Sequence, residues 1–328
     1  MRRIAENGHE KGAVSVIVAI LLVVLLGFAA IAVDVGMLYS EKAQLRNGAD
    51  AAALSIAQTC SLNASDAQCS SSVASSSLAK QMANANALDN QSNAGNVALN
   101  KTAGTVSVTT GALEAGSTPN SVSLYFARAL GFDEAEVTVT SHAAWGKPVA
   151  GPAIFPLALA ECKLNLNPGI SNGSIQLLEM GNNGCGWVPG GFGWLDTAPS
   201  SCGVSITAPI SGYVGAWHAS DPGASAPSVC GSSDFNRIKD RTVLFPLYDD
   251  ERGTGNNAEF HIKGFAAFHV TAYHFATHDW ALDGSSICNK CIEGYFKRFV
   301  TLDDAYTLSP SAPSNGTNVV KLTLGDAP

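Results

Sequence analysis

The stretch "AVDVGMLYSEKAQLRNGADAAALSIA", residues 32–57, decides the fold of this chain because it continues an uncharged apolar run without a break. The chain contains no proline from Met1 to Ser117, and good helix formers such as Ala, Leu, Glu and Lys are frequent in the stretch. Gly36 and Gly48 weaken a helix locally without ending it. The pattern therefore predicts one long helix that continues from the apolar run to about Thr59.

The apolar run itself, residues 13–33, contains no charged side chain. At 1.5 Å per residue it would extend for about 31 Å, which matches the roughly 30 Å hydrocarbon core of a bilayer. Arg2, Arg3 and Lys11 precede it, so the positive-inside rule predicts a cytoplasmic N-terminus of residues 1–12 and an extracytoplasmic remainder. We expect a single-pass protein of the cell membrane.

A cleaved secretory signal is the alternative, because Ala30-Ile31-Ala32 offers a small-x-small cleavage site after a basic start. A signal usually has an apolar region of about 7–15 residues, and this run is longer. The helical pattern also passes straight through the cleavage site. We therefore expect the span to be retained.

One face of the helix beyond the span is apolar. Its members lie at offsets 0, 7, 11, 14 and 18, close to multiples of a 3.6-residue turn. They are Leu38, Leu45, Ala49, Ala52 and Ile56. Such a stripe either packs on the chain's own domain or associates with other helices.

The segment from Gly12 to Ala57 resembles the N-terminal segment of TadE/TadG-like Flp pilus-assembly proteins, in which an apolar helix continues into a dense polar and small-residue motif. The motif residues here are Asp34, Gly36, Tyr39, Leu45, Arg46, Asn47, Asp50, Ala51, Ala52, Ala53 and Leu54. The resemblance implies a pseudopilin-like protein whose helix associates with other pilus-assembly proteins, and it favours the apolar stripe as a helix-association face.

Prepilin leaders of that kind are cut after a glycine and carry a glutamate five residues later. A cut after Gly12 would place Ile17 at that position. We therefore expect a minor or assembly-linked component and not a regular pilus subunit.

Residues 34–146 are expected to form a small α+β module that begins with the helix continuation. Residues 61–95 form either a second helix with Leu78, Met82 and Leu88 on one face or a low-complexity linker. Strand-like alternation then flanks "SVSLYFARALGF", residues 121–132. In that segment a spacing of 3, 4 and 8 predicts a short amphipathic helix with a packing face of Val122, Tyr125, Phe126 and Leu130.

From residue 147 onwards the composition shifts to Gly, Pro, aromatic residues and short strand-like runs. We expect residues 147–328 to form a β-rich extracytoplasmic domain. The fold class is therefore α+β, with a long pilin-like transmembrane helix, a small α+β module and a disulfide-stapled β-rich domain.

All eight cysteines follow the apolar run, which is typical of an oxidising, extracytoplasmic compartment. They are Cys60, Cys69, Cys162, Cys185, Cys202, Cys230, Cys288 and Cys291. Four bridges allow 105 connectivities. Close spacing makes Cys60 with Cys69 and Cys288 with Cys291 the simplest pairs.

Several clusters could carry chemistry, and for each a structural interpretation is favoured. Cys288-Asn-Lys-Cys291 fits a redox pair, a zinc site or, preferably, a structural bridge. The nearby histidines have no metal-site spacing; they are His261, His269, His274 and His278. The acidic segment from Asp249 to Glu259 suits a solvated hairpin better than a calcium site.

Aromatic residues stand among glycines in "GWVPGGFGWLD", residues 186–196: Trp187, Phe192 and Trp194. Buried packing is favoured for them, and exposed placement would suit binding of a sugar or a partner surface.

Composition excludes further classes. Only 14% of residues are charged, and the net charge of -8 argues against a nucleic-acid partner. The sequence has no nucleophile elbow, P-loop or dinucleotide fingerprint, so we expect no catalytic residue, no cofactor and no metal. We expect a Flp pilus-assembly component in contact with the bilayer and with other pilus proteins. The alternative is an anchored or secreted adhesion module whose β domain binds an unknown glycan or protein.

Overall fold

The computed structural model describes residues 10–70, 76–164, 173–180, 192–207, 215–221, 223, 225–300, 305–312 and 316–324. The chain folds into two compact units. The first contains Met1–Ile56, Ser72–Ala98 and Ser107–His142. The second contains Ala57–Ser71, Leu99–Val106 and Ala143–Pro328.

Helix α1, Glu10–Leu62, is one uninterrupted element of 53 residues, which corresponds to a length of roughly 80 Å. This confirms the prediction that the helix continues through the end of the apolar run. Within it an 18-residue window reaches a mean hydropathy of 3.3 with none of its residues buried. From Val14 to Val33 every side chain is exposed except that of Ala30, which is partly covered.

The first unit packs a second helix and several strands on the outer part of α1. Helix α2, Ser77–Ala85, begins after Ser76, whose hydroxyl accepts a hydrogen bond from the Ala79 N–H. The strands are β1 (Asn93–Asn100), β2 (Thr105–Gly111), β3 (Ser121–Ser123), β4 (Glu134–Glu136) and β5 (Thr138–Ala153). β2 lies between β1 and β5, and β3 pairs with β4. A core of Leu45, Ala112, Val122, Val137 and Val139 joins helix and strands.

The predicted amphipathic helix over residues 121–132 is wrong. The segment contains strand β3 and a four-residue 3-10 helix, Ala127–Leu130. Of the predicted packing face only Val122 is buried, and Tyr125, Phe126 and Leu130 are exposed. Pairing of Ser121 with Glu136 and of Val122 with Ala135 extends the start of the segment, so helical spacing cannot operate there.

The second unit is β-rich, as expected. Its strands are β6 (Leu157–Ala160), β7 (Gln176–Glu179), β8 (Phe192–Leu195), β9 (Val204–Ile206), β10 (Ala216–Asp221), β11 (Thr242–Arg252), β12 (Glu259–Phe275), β13 (His278–Ala281), β14 (Cys291–Phe296), β15 (Phe299–Val300), β16 (Thr307–Ser309) and β17 (Asn318–Thr323). One short helix, α3, covers Ser232–Asn236. This arrangement confirms the α+β class with a β-rich C-terminal domain.

The strands of this unit form two groups. In one, the order is β10-β8-β6-β11-β12-β14-β7, and β10 also pairs with β12, which closes five strands into a ring. The other group contains β9, β15, β16, β17 and the later part of β5. On one face of the first group aromatic side chains lie in edge-to-face contact, such as Phe155 with Trp194 at 5.7 Å between ring centroids.

Disulfides connect Cys60 with Cys69, Cys202 with Cys230 and Cys288 with Cys291. The first and third are the pairs that close spacing favours. Cys162 is also disulfide-bonded, and Cys185 lies outside the described residues. Cys288 and Cys291 form a bridge, and Cys291 is the first residue of β14. This agrees with the interpretation of the motif as a structural bridge.

Candidate functional site

The exposed part of α1, Val14–Val33, is long and apolar enough to cross a bilayer. Its branched and aromatic side chains have no covering from the chain; Leu25 and Phe28, for example, are 67% and 68% exposed. In water such a surface would be strongly unfavourable, at about 25 cal/mol per Å² of apolar area. The helix therefore fits a single-pass membrane anchor.

The predicted helix-association face has a partner within the chain. Leu45, Ala49, Ala52 and Ile56 are at most 2% exposed, and Leu38 packs partly against the Leu45 core. In this conformation the stripe is not available to another helix. The structure thus agrees with the alternative, in which the helix packs on its own domain.

Asp34, the first charged residue after the apolar run, is 3% exposed and accepts hydrogen bonds from successive backbone N–H groups. Its Oδ1 lies 3.1 Å from the Tyr125 nitrogen, and its Oδ2 lies 3.0 and 2.6 Å from the nitrogens of Phe126 and Ala127. These donors stand at the start of the 3-10 helix, where backbone N–H groups lack partners. Asp34 therefore ties residues 125–127 to the end of the span.

Asp50 is a second motif residue that contacts other parts of the first unit. It forms an ion pair with Arg46 one turn earlier, with 3.3 Å between nitrogen and oxygen, and it accepts a hydrogen bond from the Ser141 hydroxyl. In the same region the Thr110 hydroxyl donates to the Leu45 carbonyl oxygen at 2.9 Å. These contacts fix the rotation of the helix against strands β2 and β5.

Other motif residues face away from this packing. At about 100° per residue, Gly36, Tyr39 and Asn47 lie roughly 140–220° around the helix from Asp34. All three are exposed, and Tyr39 retains 72% of its accessible surface. Leu54 is half-buried. The motif therefore divides into two sets. Asp34 and Asp50, the inward set, bind other parts of the first unit, whereas Gly36, Tyr39 and Asn47, the outward set, are exposed.

The loop between β3 and β4 carries an exposed apolar surface that sequence reasoning did not predict. Four large apolar side chains are exposed in the loop between β3 and β4: Tyr125, Phe126, Leu130 and Phe132. Their helical spacing suggested a buried face. The signal that could have identified them is their density within eight residues directly beside polar turn residues.

Glu41 lies on α1 beyond the span, close to other carboxylates. Partial burial, together with the negative charges of Asp89 and Glu114, raises its pKa above the ordinary value. Gln44, one turn further along, binds the Leu88 N–H through its side-chain oxygen at 2.7 Å. The raised pKa means that ionised Glu41 costs stability in the folded unit.

The four histidines of the predicted cluster, all in the second unit, lie beside different residues. His261 pairs with Asp249, His269 with Asp240, and His278 stacks on Phe235 with ring centroids 4.0 Å apart. His274 stands opposite Asp279 in the β12–β13 pairing. Among the residues that the structure describes, no three His, Cys, Asp or Glu side chains are close enough to hold a metal ion.

The acidic segment and the aromatic segment follow their favoured interpretations. Residues 249–252 are the end of β11, and residues 253–258 connect it to β12 with a 3-10 turn at Gly255–Asn257. Phe192 and Trp194 are 3% and 1% exposed in β8, and Trp187 lies outside the described residues.

An open cleft of about 530 Å³ in the second unit is lined by the Cys60–Cys69 bridge, Lys101, Trp145 and Lys147. Both ammonium groups donate to backbone carbonyls, Lys101 to Ala64 and Lys147 to Pro310, each at 2.8 Å. Burial lowers the pKa of Lys147. These lysines therefore satisfy carbonyl groups of their own unit.

No curated protein and no solved structure resembles the chain closely enough to be matched. The family model described as "Putative Flp pilus-assembly TadE/G-like" matches residues 12–58. This stretch includes the exposed helix and every motif residue discussed above, so the chain is similar to this family over its N-terminal segment.

Proposed function

We propose that the protein is a membrane-anchored, minor pseudopilin-like component of Flp pilus assembly, with a structural and not a catalytic role. The observation that carries the proposal is the division of the family motif between two faces of α1. Asp34 and Asp50 hold the first unit in place, whereas Gly36, Tyr39 and Asn47 are exposed on the other side. An outward set of this kind suits contact with a second helix.

The proposed topology places residues 1–12 in the cytoplasm and both folded units outside. Arg2, Arg3 and Lys11 precede the span and support this orientation through the positive-inside rule. The disulfides among the described residues all follow the span, which suits an oxidising compartment.

The proposed association uses two parts of one helix surface. Inside the bilayer the exposed residues 14–33 offer shape and dispersion contacts. From the outer end of the span onwards, Ala32, Gly36 and Ser40 are exposed at four-residue intervals, and small residues let helix backbones approach closely. Tyr39 and Asn47 add a ring and an amide for hydrogen bonds to the neighbour.

The adhesion alternative receives no comparable support. Of the aromatic residues considered for it, Phe192 and Trp194 are buried in the β8 core.

The test is association within the membrane. Gly36→Leu and Tyr39→Ala in the full-length protein are expected to reduce chemical crosslinking and co-purification with other Flp pilus-assembly proteins. Helix content and melting temperature should not fall, because Gly36 and Tyr39 are both exposed and lie outside the buried core.

Lys42→Leu is the matched control, since Lys42 is exposed on the same helix but lies outside the motif. It should leave co-purification unchanged. If the unmodified protein does not co-purify with any pilus-assembly protein, the proposal fails; if all three variants lose partners equally, the outward motif set is not the contact.

A further inference from the structure

We propose that residues 124–133, here called the interfacial loop, insert their apolar side chains into the headgroup and upper acyl layer of the outer leaflet. The loop would thereby act as a second membrane contact beside the helix. This inference goes beyond the proposed function: it rests on the membrane anchoring and topology proposed above, but it concerns lipid and does not depend on a pilus partner.

The first support is position. Hydrogen bonds of 3.1, 3.0 and 2.6 Å join the Asp34 carboxylate to the backbone of Tyr125, Phe126 and Ala127. Asp34 directly follows the uncharged run, so it marks the outer edge of the hydrocarbon core. The interfacial layer extends only about 5–7 Å beyond that edge, and the loop backbone is held within side-chain reach of it.

The second support is the character of the exposed surface. Tyr125, Leu130 and Phe132 are 70%, 69% and 64% exposed, and Phe126 is 48% exposed. Single exposed apolar residues are common, but four in one short loop mark an interaction surface. Tyrosine in particular is enriched at membrane interfaces.

The third support is that the loop has a fixed shape. The Leu124 N–H donates to the Asp133 carbonyl at 2.9 Å, which closes the loop, and the Phe132 N–H donates to the Ala127 carbonyl at 3.2 Å. Gly131, with φ of 88°, ends the 3-10 helix in a left-handed conformation. The apolar side chains are thus ordered before any contact, which lowers the entropic cost of insertion.

The charged residues of the interfacial loop limit how deeply it can enter the lipid. Arg128 and Asp133 form an exposed ion pair with 3.7 Å between nitrogen and oxygen. A charged pair is costly in hydrocarbon but tolerated among headgroups. Glu134 and Glu136, exposed in β4, follow directly. The loop therefore fits the interfacial layer, and its acidic flank gives no reason to prefer anionic lipid.

The test uses the full-length protein in phosphatidylcholine vesicles with Leu130→Cys labelled by a polarity-sensitive nitrobenzoxadiazole. The described native cysteines are disulfide-bonded, and unmodified protein taken through the same labelling provides the blank. We expect blue-shifted emission and loss of most fluorescence when lipids carrying a nitroxide near the headgroup are included.

Leu88→Cys is the matched control. Leu88 is an 84% exposed leucine in the same unit, and its backbone is tied to Gln44 on the same helix. Gln44 lies ten residues beyond Asp34, about 15 Å further from the span. The label at position 88 should therefore emit as in water and should not be quenched by the nitroxide lipids.

Equal, water-like emission at both positions would overturn the proposal. Protection of the Leu130 label that appears only at high protein-to-lipid ratio, without nitroxide quenching, would also overturn it and would indicate a second copy as the occupant. Quenching restricted to vesicles of anionic lipid would contradict the charge argument and the proposed mode of insertion.

Discussion

Asp34 and Ala127 are 93 positions apart in the sequence, yet the Asp34 Oδ2 lies 2.6 Å from the backbone nitrogen of Ala127. The contact joins the continuous helix α1, at the end of its apolar run, directly to the loop between β3 and β4. A flexible linker would separate span and outer unit, whereas here the carboxylate at the end of the span is itself a structural part of that unit. Rotation of the helix and placement of the β3–β4 loop are therefore coupled.

Replacing Asp34 should weaken this connection. Asp34→Ala leaves the N–H groups of residues 125–127 without their charged acceptor, so we expect a loss of about 1.5–3 kcal/mol in the free energy of unfolding. Thermal unfolding in detergent micelles measures it, and hydrogen exchange at residues 125–127 should accelerate. Asp66→Ala, which removes a single bond to the Gln68 N–H at 2.9 Å, is the control and should cost less. Unchanged exchange at residues 125–127 would contradict the role assigned to Asp34.

The two motif-region glycines of α1 should respond differently to the same substitution. A Cβ on Gly48 would lie 3.1 Å from the Ala83 Cα and 3.2 Å from its carbonyl oxygen, whereas a Cβ on Gly36 meets nothing within 4 Å. Gly36→Ala should stabilise the helix by about 0.5–1 kcal/mol through helix propensity. Gly48→Ala should instead lower the free energy of unfolding by about 1–3 kcal/mol, because the added methyl group forces α1 and α2 apart. Paired melting curves decide this, and equal shifts would show that the α1–α2 contact is loose.

The local sequence pattern was sufficient to predict the elements that have a strong hydrophobic periodicity or a distinctive composition. The continuous helix follows from composition and the absence of proline, and strands β2 and β5, which flank residues 121–132, follow from alternation. The Cys60–Cys69 and Cys288–Cys291 pairs follow from proximity along the chain. In these cases the deciding interactions are short in sequence.

The parts that sequence reasoning missed depend on contacts distant in sequence. Tyr125, Phe126 and Leu130 have the spacing of a helix face, but pairing of β3 with β4 and the Asp34 bonds impose another backbone. The stripe containing Leu45 and Ile56 was recognised as apolar, yet periodicity does not say whether its partner is internal or external. The burial of Asp34 was also invisible, since its donors lie more than 90 residues away.

Leu45 tests the internal role of the apolar stripe. It is 2% exposed in the core with Val122 and Val139, so Leu45→Ala should cost about 2–5 kcal/mol of stability. Leu88→Ala, at a leucine that is 84% exposed, should stay within about 0.5 kcal/mol. Chemical denaturation in micelles provides the comparison. A Leu45→Ala protein with unchanged stability would contradict the internal role of this side chain and would favour its use as an association face.

Acidification should relieve the repulsion at Glu41. Burial first, and then Asp89 and Glu114, raise its folded-state pKa above 4.5, so the folded state binds the proton more tightly than the unfolded state does. The stabilising effect of protonation is complete below pH 4.5 and is lost as pH rises through the folded-state pKa. Glu41→Gln should therefore stabilise the first unit at pH 7, by less than about 1 kcal/mol for a half-buried group. Melting temperatures between pH 4 and 7 should vary less in this variant; if the difference between the two proteins grew on acidification, the sign would be wrong.

The disulfides should differ in their contribution because they close loops of different length. Cys202 and Cys230 are 28 residues apart, and Cys288 and Cys291 are three apart. Chain entropy predicts about 3.5 kcal/mol for the longer loop and about 1.5 kcal/mol for the shorter one. The double variant Cys202→Ala/Cys230→Ala should thus lower the melting temperature of the second unit more than Cys288→Ala/Cys291→Ala. A larger effect from the second pair would mean that the bridge at the start of β14 acts through contacts in the folded state, and near-ultraviolet circular dichroism of the adjacent Tyr295 and Tyr273 would then change as well.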